Sequence, residues 1–300
     1  MHPVPVAVRV LALLAACAGP AAAQTPSTGA WPGTPAPAAP AVAAAQPGGG
    51  APRVALELRT RGHVVEATAV NALAGPVEVE LQATGFAPRA DPPLPARVTV
   101  PAFGRVLVAR LDAAATGAHL RLPAVPGLPT ARPRDATYLY PLRNAPVRIS
   151  QGFGGAFSHD DEENRHAVDF VAPAGTPVLA ARDGVVMQVA GDATGRVDPR
   201  IAFDPGDDRV RGNFIRILHD DGTMALYAHL QTGGVIVTPG ARVLRGTIIG
   251  FSGNTGLSTA PHLHFVLQAN RGMRLASLPF RMSGPDGPLP LAAVSPALPQ

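Results

Sequence analysis

The stretch Asn213-Phe-Ile-Arg-Ile-Leu-His-Asp-Asp-Gly-Thr-Met-Ala-Leu-Tyr-Ala-His229 decides the fold class. Its two apolar runs, Asn213 to Leu218 and Thr223 to His229, are too short for helices, and the junction between them carries a glycine, as expected of buried strands. Runs of the same kind recur at Val178 to Ala181, Gly184 to Ala190 and Thr247 to Ser252, with Gly or Pro at nearly every junction. No amphipathic helical pattern of useful length interrupts them. The expectation is an all-β fold, with a β-rich, largely antiparallel domain over residues 137–282.

Working outward, shorter alternating stretches fill residues 53–113: Val54-Ala-Leu-Glu-Leu-Arg59, Val77 to Leu81, Val98-Thr-Val100 and Arg105 to Leu111. They predict a small β-sandwich-like domain. It holds His63 and no cluster of reactive side chains, so it reads as a spacer or a wall-binding module. A Pro-rich linker, 114–136, separates it from the larger domain, and a Pro-rich tail occupies 283–300. Residues 24–52 are almost entirely Ala, Pro, Gly, Ser and Thr, which bury too little apolar surface to offset the entropy of ordering, and they read as a disordered tether. Residues 1–23 read as an export signal, with Arg9 as the positive flank, Val10 to Ala16 as the apolar run, and Ala21-Ala22-Ala23 as the small-residue cleavage site. Leu14-Ala15-Ala16-Cys17 also resembles a lipoprotein cleavage box, which would place a lipid anchor on Cys17. Both readings put the mature protein in the periplasm or outside the cell. No other stretch is long and apolar enough to form a transmembrane helix.

Composition narrows the chemistry. The chain has 300 residues and a formal charge of +4. Every basic residue is Arg, and the Arg residues are scattered without a like-charge run, so nucleic acid is not an expected partner. With 34 Pro, 32 Gly and only 15% charged residues, and without a Gly-X-Y or heptad period, collagen-like and coiled-coil readings are excluded. The single cysteine, Cys17, lies in the export segment. The mature chain therefore has no disulfide and no thiolate metal site, and any metal must be held by His and carboxylate.

Six of the nine histidines fall in the larger domain: His159, His166, His219, His229, His262 and His264. In Pro261-His262-Leu263-His264-Phe265 the two imidazoles are two residues apart, and residues i and i+2 of a strand share a face. Ala167-Val168-Asp169-Phe170 puts a carboxylate on an apolar strand, where it is costly to desolvate unless paired or metal-bound. Tyr227-Ala228-His229-Leu230 ends another strand in a histidine. Singly, each His reads equally as a satisfied core or surface residue. Together, in a thiol-free exported domain, they indicate one zinc ion in a His/Asp/His site.

These residues resemble the LytM/lysostaphin-type zinc metallopeptidases, a family of peptidoglycan endopeptidases with the duplicated hybrid motif fold. The resemblance covers roughly Tyr140 to Leu267. It is carried by Gln151-Gly-Phe-Gly154, Ala167-Val-Asp-Phe-Val-Ala-Pro-Ala-Gly-Thr-Pro177, Gly212-Asn213, Tyr227-Ala-His-Leu230, Val243 to Gly250, and Ser252-Gly-Asn-Thr-Gly256 leading to Pro261-His-Leu-His264. It implies Asp169 and His264 as zinc ligands, His229 and His262 as the unligated catalytic pair, and Asn213 and Tyr227 near the substrate groove. A turn Asn and a strand-packing Tyr are the alternative for the last two. Gly253, Asn254, Gly256 and Ser258 would form a rim loop. The implied reaction is hydrolysis of peptide cross-links in peptidoglycan stems. Three protein ligands leave zinc a fourth position for a water whose pKa falls to about 7, with His229 and His262 sharing proton transfer and oxyanion stabilisation. The alternative is an inactive wall-binding or amidase-activating protein on the same fold, which would be expected to lack the zinc ligands. Every candidate ligand and base follows Ser150, so the tether and first domain are expected to be dispensable for bond breaking.

The first ligand is contested between His159 and His166. The family usually places it four residues before the Asp, whereas His166 precedes Asp169 by three and so points to the opposite face of an extended strand unless a bulge intervenes. His159 stands ten residues before Asp169, across the polar run Asp160-Asp-Glu-Glu-Asn-Arg165, which can leave the strand and return. Gly155-Ala-Phe-Ser-His159 also resembles members in which the ligand follows Phe-Ser or Phe-Thr. The assignment is therefore His159, with His166 on the rim.

Overall fold

The computed structural model describes residues 53–85, 88–112, 118–198, 200 and 208–292. The export segment 1–23 with Cys17, the tether 24–52 and the last part of the tail, 293–300, lie outside the described residues. Among the described residues the regular structure is strand apart from one helical turn, α1 (Asp208–Arg211), as the sequence predicts.

The first part of the chain contributes β1 (Val54–Arg61), β2 (Val64–Asn71), β3 (Val77–Thr84), β4 (Ala90–Asp91), β5 (Ala96–Val100), β6 (Arg105–Asp112), β7 (His119–Arg121) and β8 (Ala124–Pro126). One sheet runs β1-β2-β6-β4; in the other, β3 pairs with β5, β7 and β8. Alternation in β2 sends Val65, Ala67 and Ala69 inward, where they meet Val77, Val79, Leu81 and Val100 of the second sheet in one apolar cluster. Because β7 and β8 pair with β3, the second sheet continues past residue 113 into the segment read as linker. The cluster also takes in Met187, Met224 and Leu275 from the larger domain.

That domain contains β9 (Thr137–Leu139), β10 (Ile149–Gln151), β11 (Ala167–Val171), β12 (Pro177–Leu179), β13 (Gly184–Ala190), β14 (Asn213–Leu218), β15 (Met224–Val235), β16 (Arg242–Val243), β17 (Ile248–Ser252), β18 (His262–Asn270), β19 (Leu275–Ser277), β20 (Arg281–Gly284) and β21 (Gly287–Pro288). The main sheet has the order β10-β11-β18-β15-β14-β13-β16, every pairing antiparallel. Its two faces differ. Val168, Phe170, Ile215, Ile217, Tyr227, Leu263 and Phe265 point into the main core, closed by Tyr138 and Phe280. The other face carries a smaller apolar patch, Ala167, Phe214, Leu226, Ala228 and Val266, and beside it the polar side chains that form the site.

Candidate metal and catalytic site

Strand register assembles the centre of the site. Asp169 on β11 stands opposite His264 on β18, His264 stands opposite Ala228 on β15, and on the other side Gln151 of β10 stands opposite Asp169. Residues directly opposite one another share a face, so Gln151, Asp169 and His264 form a row across three strands. In β18, Leu263, Phe265 and Leu267 pack into the core while His262 and His264 share the other side. His264 Nδ1 lies 2.9 Å from Asp169 Oδ1.

His159 reaches this row from the loop after β10. Its backbone N–H donates to Gly155 O and its Nδ1–H to Gly152 O at 3.0 Å, which turns Nε2 inward. That Nε2 is buried without a hydrogen-bond partner: it stands 3.3 Å from Asp169 Oδ1 but lacks hydrogen-bond geometry. One ligand atom from each of His159, Asp169 and His264 lies within 4.8 Å of the others, and all three residues are buried. A buried imidazole nitrogen without a hydrogen-bond partner, beside a carboxylate and a second imidazole, fits a divalent metal ion.

A backbone irregularity places His229. Between β14 and β15, Asn213 faces Leu230 while Ile215 faces Tyr227, so β15 has one residue more than β14 in this interval. The extra residue is absorbed by a bulge at which His229 takes a left-handed conformation, φ 61°. The ring is thereby brought beside His262, centroids 4.7 Å apart, and 5.8 Å from the ring of His264. His229 Nδ1–H donates to Thr255 O at 2.8 Å, and His262 Nδ1–H to Ala260 O at 2.8 Å with Ser258 Oγ at 3.1 Å. The Nε2 of His262 lies 3.8 Å from Asp169 Oδ1.

Electrostatics follow from burial and from the one carboxylate. Burial opposes ionisation of Asp169, but the imidazoles of His159 and His264 facing it outweigh burial and hold it far below the ordinary carboxylate range. Burial also works against the His159 imidazolium, yet neighbouring Asp169 raises its pKa. For His264 burial dominates and lowers it. His229 is pushed down to about 3 by burial and by the adjacent His262 and His264, so it is neutral at physiological pH.

The structure thus brings together His159, Asp169, His264, His229 and His262, and keeps His166 apart. His166 lies against Ser277 and edge-on to Phe153. The expectation that Tyr227 and Asn213 line the groove is corrected. Tyr227 is fully buried and its hydroxyl oxygen accepts from Ala181 N at 2.8 Å; its ring packs on Phe265. Asn213 is also fully buried, its amide bonded to Ala193 N and O and to Gln231 O, which fastens the 191–197 segment to the end of β15. Both are packing residues, satisfied internally. Sequence reading did not single out Thr255, whose carbonyl orients His229, nor give Gln151 a role. Only the register of folded strands shows either.

A buried His/Asp/His cluster with two further imidazoles beside it, on an all-β sheet, is the arrangement of a metallopeptidase. Residues 163–275 match Peptidase family M23. Peptidoglycan DD-endopeptidase ShyA of Vibrio cholerae is 35% identical over 131 residues, 43% of this chain and 26% of that protein. Glycyl-glycine endopeptidase ALE-1 of Staphylococcus capitis is 39% identical over 108 residues, 36% of this chain and 25% of that protein. The solved catalytic domain of the antimicrobial peptidase lysostaphin from Staphylococcus simulans shares 32% identity across 41% of this chain and 81% of its own, with a TM-score of 0.31. The chain spans about a quarter of the length of these two curated relatives.

Proposed function

We propose that this chain is an exported zinc endopeptidase that hydrolyses peptide cross-links in bacterial peptidoglycan. The observation that carries the reading is the convergence of His159, Asp169 and His264 on one point, with the rings of His229 and His262, 4.7 Å apart and inclined at 45°, beside it. The names of the relatives, a peptidoglycan DD-endopeptidase and a glycyl-glycine endopeptidase, support the substrate class.

In this reading His159 through Nε2, one Asp169 oxygen and His264 through Nδ1 hold the ion. Zinc, when bound, supplies a Lewis acid that lowers the pKa of water to about 7 and polarises a carbonyl. The protein's own residues do the rest. The carbonyls of Gly152 and Thr255 fix the tautomers of His159 and His229, and Ala260 O fixes that of His262. His229 and His262 then present two Nε2 lone pairs that take a proton from the attacking water and return it to the leaving amine. Once protonated, either ring donates to the developing oxyanion. Such transfer contributes about 10²–10⁴-fold. The low pKa of His229 favours the neutral base form at rest and a strong donor once protonated.

The test is zinc analysis of the purified protein together with mass spectrometry of digested peptidoglycan. One zinc per chain and conversion of cross-linked muropeptides to uncross-linked products are expected. Zinc binding with no bond cleaved would point instead to a wall-binding or amidase-activating role. Export is tested by sequencing the mature N-terminus, which is expected near Gln24, or at a lipidated Cys17.

A further inference from the structure

We propose that Gln151 is a positioning residue: its side-chain amide locks the Asp169 carboxylate to the loop that carries His159, and so sets how tightly the site holds its metal. The inference rests on the reading of His159, Asp169 and His264 as metal ligands. Gln151 and Asp169 are cross-strand partners on β10 and β11. The Gln151 amide makes three contacts of different kinds. Nε2 stands 3.3 Å from Asp169 Oδ2, to which it donates, and 2.8 Å from Ser158 Oγ, while Oε1 accepts from Phe157 N at 3.1 Å. Phe157 and Ser158 directly precede His159, so one side chain spans a carboxylate and the loop bearing its partner imidazole.

The two oxygens of Asp169 are used differently. Oδ1 faces the imidazoles of His264, His159 and His262, whereas the hydrogen bond to Oδ2 comes from Gln151. Without that donor the carboxylate can rotate about its last bond and Oδ1 loses its fixed direction. An amide suits the position because it donates to a carboxylate through one atom and accepts from a backbone N–H through another. The loop is shaped around it: a Cβ on Gly155 would stand 2.2 Å from Gln151 Cγ and 2.7 Å from Cδ. Gly155 is therefore the space that the Gln151 side chain occupies.

The experiment measures zinc affinity of the full chain by competition with a chromogenic chelator, and the visible spectrum of the cobalt-loaded protein. Gln151→Glu is the decisive variant, since it keeps the length and the acceptor for Phe157 N but cannot donate to Asp169. Gln151→Ala removes the amide, and Gly155→Ala displaces it without touching it chemically; these two answer the question should Gln151→Glu fail to fold. Each variant is expected to bind zinc about 10- to 100-fold more weakly, with an altered cobalt spectrum and a metal-free melting temperature close to wild type. Wild-type affinity in Gln151→Glu, or tighter binding through the new carboxylate, overturns the proposal alone. A wild-type chain that binds no zinc overturns both this proposal and the reading of the site on which it rests.

Discussion

At the scale of the residue, His229 shows what a strand pattern hides. Ending an apolar run with a histidine is legible in sequence, but the bulge that turns its ring toward His262 is not, because it arises only when β15 is paired with the shorter β14. His262 and His264 were legible for the opposite reason: a spacing of two on a strand has one geometric consequence. The distinction between ligand and base predicts different losses. His264→Ala and His159→Ala are expected to lose zinc and activity together, whereas His262→Ala keeps zinc and loses about 10²-fold or more in hydrolysis; His166→Ala, whose ring bonds Ser277, keeps both. Zinc content and cleavage rate measured on the same samples check this division. A sixth histidine acts on stability. His219 is buried, its Nδ1–H donates to Asp183 O at 2.7 Å, and its Nε2 has no partner. Burial, with Arg182 nearby, lowers its pKa from 6.5 to about 4. The unfolded chain therefore takes up a proton that the folded chain refuses, and stability is lost as pH falls from about 6.5 to about 4. The loss from this residue is on the order of 3 kcal/mol. His219→Gln is expected to flatten the acid side of the stability curve, read from urea unfolding at pH 7 and pH 4.5.

At the scale of the element, the site depends on how closely the rim loop sits on its neighbour. Strand positions were largely readable: Gly184 to Ala190 and Asn213 to Leu218 are strands with the expected bounds, and the run ending at His229 extends on to Val235. The glycines at the site gave only a general loop signal, because their reason is contact between segments distant in sequence. A Cβ on Gly212 would stand 2.4 Å from the carbonyl carbon of Thr255, and one on Gly256 would stand 2.4 Å from Gly212 N. Both residues have positive φ, and the two backbones touch. Thr255 sits between them, its carbonyl holding His229 and its hydroxyl accepting from Asn213 N while donating to Leu230 O. Gly212→Ala must push this loop away in addition to straining its own backbone. It is expected to cost about 2 kcal/mol or more in stability and to lower turnover while zinc stays bound, because no ligand lies on the displaced loop. Loss of metal with turnover per bound zinc unchanged would show that the loop does not orient His229.

At the scale of the whole molecule, the chemistry and the fold divide the chain differently. Sequence reading separates a first β-domain from the catalytic one, and the site residues do all follow Ser150. The apolar packing does not respect that line, since Met187, Met224 and Leu275 sit in the cluster formed by Leu56, Val79 and Leu81. Polar contacts cross as well. Glu78 on β3 is buried and accepts from Asn270 Nδ2 at 3.0 Å and Met273 N at 2.7 Å, and Ala74 N donates to Met187 O at 3.0 Å. Arg53 pairs with Asp208 at 2.6 Å and lies over the Phe214 ring. Such coupling has no local sequence signature, because a methionine in a strand reads the same whether it packs on its own domain or on the next. Removing residues up to 136 would uncover three large apolar side chains worth about 1.5–3 kcal/mol each. It would also leave Asn270 and Met273 N short of a partner, which is a large share of the ~5–15 kcal/mol that holds a typical domain. A fragment starting at Thr137 is therefore expected to be strongly destabilised or to aggregate, contrary to what the placement of ligands alone suggests, while a chain starting at Arg53 behaves as wild type. Melting curves and cleavage of a soluble cross-linked muropeptide by the two truncations decide it: a Thr137 fragment that melts like the full chain and cleaves at its rate would show the first domain to be a spacer after all.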